Sequence, residues 1–518
     1  MTRPTSIVLL ILLLASTFAI LERDPFAQAL LGHRSDQNIE NTFPVANINV
    51  HSLPIARSTQ QVWDSERHTL KASSTGSTSQ PSLAASGLSA LSIVSTFDGL
   101  NQIQSCQCVP PDVQVAAGPS HVVEMVNLEG EVFSKTGVSN TTFTLSSFFS
   151  SGSDSISDPK ILFDGSSGRW FSSILDISVD SVILAVSSTS DPTGTWTLYR
   201  LSAGSFIPDQ PIIGVSDDKL VASANDFRST SFVGAKYWVL NKAQMLAGAT
   251  VSTFSSTVNS GFFSIHPVQS LSPTTTQYMI GNVVSSGALS TSATELFSIT
   301  GIPGVSTVKT TASALPVSTL TIPPNAAQPG TSSTIDTSDI RVEDALWYKG
   351  TLWYSLNDGC TPAGDNQLRS CLRLTQIDPT SSPPSIRQDF DYGVNRLFVF
   401  YPAMRVDGLG NLDVVYGLSS SMSNPSLAIT GQAITDPLGT MSIAQSLIVG
   451  STADTSTRYG DYFGAGLDPT DPSTVWVAGE YHSSGTGVCG SFGSCWSSLI
   501  GSITMIPSVP NGGARWAL

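Results

Sequence analysis

The sequence predicts an all-β fold, a β-propeller of seven blades with six or eight as alternatives, behind a disordered N-terminal segment. One local plan recurs seven times between Pro110 and Glu480: a polar residue, usually beside a proline, then a short apolar run, a Gly/Asp/Ser/Pro turn and a second apolar run. The starts are Asp112, Asp158, Asp209, His266, Asp344, Tyr401 and Asp461, spaced by 46, 51, 57, 78, 57 and 60 residues. Such a period suits stacked units, none of which can bury its own apolar faces. Charged residues make up only 12% of the chain while Ser, Thr and Gly are abundant, and hardly any stretch has helical periodicity. That composition fits short strands joined by tight turns better than helices.

Taken from the N-terminus, residues 1–19 read as a signal peptide. Arg3 precedes an apolar run from Ile7 to Phe18, and Thr17, Phe18 and Ala19 form a small-x-small site for cleavage after Ala19, with Ala27, Gln28 and Ala29 as a second candidate. The run from Ile7 to Leu21 spans 15 residues, short of the about 18 that favour a membrane span. A membrane contact is expected only through an uncleaved N-terminal segment. Residues 20–92 read as a low-complexity linker, since the Ser/Thr-rich stretch 73–89 cannot supply a packed core. The propeller is expected over residues 93–507 and a C-terminal tail over 508–518. A formal net charge of −15 without a Lys/Arg cluster excludes nucleic acid as a natural partner.

The six cysteines fall in close sequence pairs, as expected of an oxidising compartment and of a secreted or cell-surface protein. Local bridges Cys360–Cys371 and Cys489–Cys495 are the preferred pairings. A bridge between Cys106 and Cys108 would close a small, strained ring, which leaves pairing elsewhere open. A metal reading of Cys106-Gln107-Cys108 would need further Cys or His nearby, and none is close in sequence.

Within each repeat the two apolar runs read as a β-hairpin. The second runs lie at 122–127, 169–173, 220–225, 278–282, 351–357, 412–417 and 475–480, each after a turn signal such as Gly118-Pro119 or Asp471-Pro472. Residues 316–339, with Pro323-Pro324 and Pro329-Gly330, account for the one long spacing and read as an insertion between blades.

Some of these residues also form familiar phrases. Asp468-Pro469-Thr470-Asp471-Pro472-Ser473-Thr474-Val475-Trp476-Val477 resembles the strand-turn-strand phrase of BNR and sialidase-like propellers, and Asp191-Pro192-Thr193-Gly194-Thr195-Trp196 is similar to their Asp-box turn, with its glycine one place late and Thr189 where Ser is usual. Pro110-Pro111-Asp112 with Gly118-Pro119, Asp158 to Asp164 with Arg169-Trp170, Ser187 to Tyr199, and Tyr459-Gly460-Asp461-Tyr462 look like a group of secreted prokaryotic propeller proteins. The resemblance covers about residues 95–505 and implies the fold. It implies no single activity, because propellers host enzymes and binding modules alike.

Strand direction says where a site belongs. The first and second strands of a blade are antiparallel, so the start of one and the end of the other emerge on the same face. Asp112, Asp158, Asp209, His266, Asp344, Tyr401 and Asp461 are therefore expected around the mouth of the central channel, with Asn127, Asn225, Asp226, Asn282, Asn357, Asp358, Glu480 and Tyr481 beside them. Such a ring of acceptors could hold Ca²⁺, which takes several oxygen ligands, or hydrogen-bond a glycan. Its plainer reading is that Asp beside Pro caps a strand or ties one blade to the next. Glycoside hydrolysis would draw on carboxylate pairs such as Asp158 with Asp209 or Asp344 with Glu343. Arg169, Arg228, Arg341, Arg405 and Arg458 are scattered over the blades, and none sits in the arginine motif that opens a sialidase domain, so no catalytic residue of that family carries over. Two functions are expected: a binding or adhesion module for a glycan or cell-surface protein, or a carbohydrate-active enzyme using mouth carboxylates.

Overall fold

A computed structural model describes residues 39–54, 89–456 and 458–506. The signal segment 1–19 and the tail 508–518 lie outside the described residues. Three strands precede the repeats: β1 (Ile39–Thr42), β2 (Pro44–Asn49) and β3 (Ala90–Asn101). Antiparallel meanders of four strands follow in chain order. These are β4 (Gln114–Ala117), β5 (His121–Val126), β6 (Glu129–Ser134) and β7 (Ser139–Thr144); then β8 (Ile156–Asp164), β9 (Arg169–Asp176), β10 (Ser181–Ser187) and β11 (Thr195–Ser202). Next come β12 (Ile207–Val215), β13 (Lys219–Arg228), β14 (Ser231–Asn241) and β15 (Val251–Ser255). The following group is β16 (Phe262–Pro267), the two-residue β17 (Gln269–Ser270), β18 (Gln277–Ser285), β19 (Ala288–Thr300) and β20 (Lys309–Pro316). The chain continues through β21 (Val342–Tyr348), β22 (Thr351–Cys360), β23 (Arg369–Asp378) and β24 (Ser385–Tyr392), then β25 (Phe398–Val406), β26 (Leu412–Ser420), β27 (Ser423–Gln432) and β28 (Gln445–Ile448). It ends with β29 (Gly464–Leu467), β30 (Thr474–Ser484) and β31 (Ser494–Ile506). The hairpins expected from the apolar runs fall on β4–β5, β8–β9, β12–β13, β16–β18, β21–β22, β25–β26 and β29–β30.

Hydrogen bonding among the described residues gives six sheets: five blades that stand alone and one sheet of ten strands. Seven separate blades, the sequence expectation, are thus not what the sheets show. The reason is local. β17 pairs in parallel with β12 at Val215 and with β21 at Leu346 and Trp347, which stitches the β12–β15 and β21–β24 meanders together at the far end of their first strands. The first strands touch in the order β4, β8, β12, β16, β21, β25 and β29, and β29 touches β4, so they surround one axis. Close approach there needs small residues. A Cβ on Gly464 would stand 2.4 Å from the Val115 amide nitrogen.

The ring is closed by sequence-distant pairing: β3 runs antiparallel to β31 from Ala90↔Ile506 to Asn101↔Ser497, as the outer strand of the β29–β31 sheet. The expected tether is not wholly apart from the fold. β1 pairs with β15 and β2 with β11, so residues 39–49 strap the outer edges of two neighbouring meanders, because backbone groups left open on an edge strand accept another strand. Ile48 and Val50 are buried by this docking.

Between sheets, Trp170, Trp196, Trp238 and Trp496 are fully buried. The Asp-box-like turns hold two tryptophans in place: Trp196 Nε1 donates to Pro192 O at 2.9 Å, and Trp476 Nε1 donates to Asp468 Oδ2 at 3.0 Å. Cys360–Cys371 and Cys489–Cys495 are bridged as preferred, and Cys106 bridges Cys108 rather than a distant partner. The insertion before β21 is packed, not loose: Leu320, Ala326 and Ile335 are buried, and Gln328 exchanges hydrogen bonds with the Asp454 backbone.

Candidate functional site

The first strands begin with a repeated irregularity. Register shifts occur between Ser157 and Lys160, Asp209 and Ile212, Phe263 and His266, Val342 and Asp344, and Phe400 and Ala403. Asp112, Asp158, Gln210, Ser264 and Tyr401 lie at φ of 52°, 57°, 49°, 46° and 54°, a left-handed conformation that costs a side-chain-bearing residue about 1 kcal/mol or more. A bulge of this kind frees a backbone N–H from the ladder, and a buried N–H must find another acceptor.

That acceptor is an asparagine at the end of a second strand in the preceding meander. Asn127 Oδ1 accepts from the Asp158 amide at 3.1 Å, Asn225 Oδ1 from Ser264 at 2.7 Å, Asn282 Oδ1 from Val342 at 3.1 Å and Asn357 Oδ1 from Tyr401 at 2.7 Å. The amide nitrogens bind as well: Asn127 Nδ2 donates to Asp112 Oδ2 at 2.8 Å and Asn357 Nδ2 to Glu343 Oε1 at 2.9 Å. Glu480 Oε2 plays a related part towards the segment that leads into β29, accepting from the Gly460 amide at 2.8 Å. Much of the polar ring thus clasps one meander to the next.

The seven anchor residues take different places on this frame. Asp112 is 1% exposed; burial foremost, then the charges of Asp461 and Asp158, holds its carboxyl well above the usual range. Asp158 is buried, with Oδ1 accepting from Ser157 Oγ at 2.9 Å and Oδ2 from the Gln210 amide at 3.1 Å. Asp209 is buried close enough to the Tyr462 phenol that its charge, after burial and with Asp158, Asp112 and Asp461, pushes that phenol up. Asp344 Oδ2 accepts from the Met404 amide at 2.9 Å and pairs with Arg405 at 2.7 Å. Asp461 pairs with Arg458 at 2.6 Å. His266 is buried, its Nδ1 donates to Pro267 O at 3.0 Å, and burial lowers it to about 4, so the imidazole is neutral. The Tyr401 ring lies in the apolar core against Phe400, Tyr459 and Phe463, and its hydroxyl donates to Asp336 O at 2.9 Å.

Three of the scattered arginines are brought to this end of the axis. Arg405 and Arg458 hold the pairs above, and Arg341 binds Asp339 at 2.8 Å and Gln210 Oε1 at 2.7 Å. Arg169 instead donates to Ser187 O, and Arg228 lies over the Phe206 ring. Glu343 and Asp344, read as a carboxylate pair, are both engaged, by Asn357 and by Arg405. Among the described residues, no group of three His, Cys, Asp or Glu side chains converges as a Ca²⁺ shell would.

Lys160 was missed by sequence reasoning, although Asp158-Pro159-Lys160 placed it two residues along an inward strand from an anchor. It lines a chamber of about 40 Å³ with Gln114, His266, Glu343, Asp344 and Arg405. A second cavity of about 280 Å³ lies where the first strands end, walled by Ala116, Leu162, Phe163, Leu271 and Leu467. Both are lined by Leu162, Gln269 and Ala465, so they meet along the axis. The roomier cavity lies at the end opposite the anchors.

No protein-family model matches the chain, and no curated protein matches it. Similar solved structures include extracellular domains 1-2 of Drosophila Semaphorin 1b, at 6% identity and a TM-score of 0.39, covering 81% of this chain and 88% of that one. The Hadza microbial sialidase Hz136 is 10% identical with a TM-score of 0.38, covering 74% of each chain. An endo-arabinase from Bacteroides thetaiotaomicron is 12% identical with a TM-score of 0.30, covering 54% of this chain and 95% of its own.

Proposed function

We propose that this protein is a secreted or cell-surface propeller of the BNR and sialidase-like kind that binds a glycan or a protein at the mouth where its first strands begin. Counting β12–β15 and β21–β24 as two blades joined by β17 makes it seven-bladed, which the order of first-strand contacts supports. The observation that carries the binding reading is the prior engagement of the mouth carboxylates: Asp344 with Arg405 and the Met404 amide, Asp461 with Arg458, Asp158 with Ser157 and the Gln210 amide. Carboxylates held this way are fixed acceptors beside fixed donors, which suits recognition of hydroxyls or polar side chains. They suit proton transfer less well, since a general acid or base must reach the reacting atom. The disulfides support a location in an oxidising compartment.

One observation favours the enzyme reading. Burial, with Asp461 and Asp158 beside it, holds the Asp112 carboxyl well above the usual range, and neighbouring carboxyls whose pKa values are pushed apart are the usual acid and base of glycoside cleavage. Its 1% exposure weighs against contact with a substrate. A glycan-binding array together with a chromogenic glycoside and polysaccharide screen, on wild type, Asp158→Asn and Asp461→Asn, separates the two. Binding weakened in the variants with no turnover anywhere supports the module. Turnover by wild type that is lost in Asp158→Asn would replace it with the enzyme, and no glycan binding at all would remove the glycan ligand.

A further inference from the structure

We propose that Lys160 is a carbonyl-reactive amine, which captures a small aldehyde with an apolar body as an imine inside the axial channel. The inference is independent of the mouth reading, because the aldehyde would enter from the opposite end.

The first support is the amine's isolation. Lys160 is 7% exposed, yet among the described residues its ammonium has no hydrogen-bond or ion-pair partner, only the Tyr462 ring, whose centroid is 2.9 Å away. Buried lysines are nearly always paired. Burial foremost lowers its proton affinity to about 8, opposed by the charges of Asp158, Asp112, Glu343 and Asp344. His266 stays neutral beside it, and Arg405 is occupied by Asp344.

The second support is access. Lys160 lines the small polar chamber, which meets the cavity of about 280 Å³ at Leu162, Gln269 and Ala465. That cavity suits the body of an aliphatic or aromatic aldehyde of about six carbons. A lysine desolvated by burial is an established form of activated nucleophile. The unprotonated amine adds to the carbonyl carbon, and a proton moves to the oxygen to give a carbinolamine. Loss of that hydroxyl together with the remaining amine hydrogen, as water, leaves the C=N bond.

Wild-type protein is incubated at pH 7 with hexanal and sodium cyanoborohydride, whose hydride reduces any imine to a secondary amine, and alkylated lysines are located by peptide mass mapping. A proton affinity of about 8 against an ordinary 10.5 gives Lys160 roughly 300-fold more free amine at neutral pH. We expect Lys160 to be modified at least tenfold faster than the exposed Lys309 and Lys349. Its rate should level off above about pH 8 while theirs keeps rising. Modification of Lys160 no faster than Lys349, or none, overturns the proposal. Lys160→Arg should abolish the fast adduct and leave Lys309 and Lys349 unchanged. A fast adduct that persists places the reactive amine elsewhere and also overturns it; if the variant does not fold, the wild-type map decides alone.

Discussion

Replacing Asn357 by Ala tests whether the asparagine clasps hold the ring together. Asn357 is fully buried, accepts from the Tyr401 amide at 2.7 Å and donates to Glu343 Oε1 at 2.9 Å. Alanine leaves a buried N–H without an acceptor, at about 1–3 kcal/mol, and takes a donor from a buried carboxyl, at about the same again. The two-sided loss predicts about 3–5 kcal/mol, well above a typical point mutation. Urea unfolding followed by tryptophan fluorescence reads this as a lower midpoint, and hydrogen exchange should show the Tyr401 amide opening faster. Asn357→Asp keeps the acceptor but sets a second carboxyl against Glu343, so its loss should shrink as pH falls from 8 to 5 and the carboxyls take up protons. A loss below about 1 kcal/mol for Asn357→Ala, with Tyr401 exchange unchanged, would refute the clasp as a structural tie.

Two further expectations follow from buried charge. Arg373 is fully buried with Asp358 at 2.7 Å, Asp391 at 2.9 Å and Asp389 at 3.5 Å, so Arg373→Met strands three carboxyls and should cost about 3–5 kcal/mol at pH 8, less at pH 5, by urea titration. His266 is depressed to about 4 from an unfolded value near 6.5. Its contribution is therefore intact above pH 6.5 and lost as pH falls towards 4, and His266→Gln should lose less thermal stability over that window than wild type does; an identical pH profile would count against a buried neutral imidazole.

The hairpins were legible because alternation of apolar and polar residues and the turn chemistry of Gly118-Pro119 or Asp471-Pro472 are local properties of a few consecutive residues. The anchors and their asparagine neighbours were legible as a group for the same reason. Their division of labour was not. Tyr401 occupies the same repeat position as Asp112 and Asp158, yet its ring turns into an apolar cluster formed with Tyr459 and Phe463 from the segment that leads into β29. β1 and β2 carried no signal of their own, since the edges they dock on, β15 and β11, are about 150 to 215 residues away. Lys160 reads as a solvated charge until six other first strands enclose it.

By itself the sequence determined an all-β array of hairpins, each with a polar residue where its first strand begins, because those features depend on neighbours within a turn or two. Only the tertiary structure decided that β17 would join two meanders into one sheet, that Asn127, Asn225, Asn282 and Asn357 would satisfy amides across a gap between meanders, and that a lone ammonium would sit on the axis. The physical reason is that a buried hydrogen bond or an excluded charge is a relation between surfaces brought together by closure of the ring, and alternation along one strand carries no record of what the next surface presents.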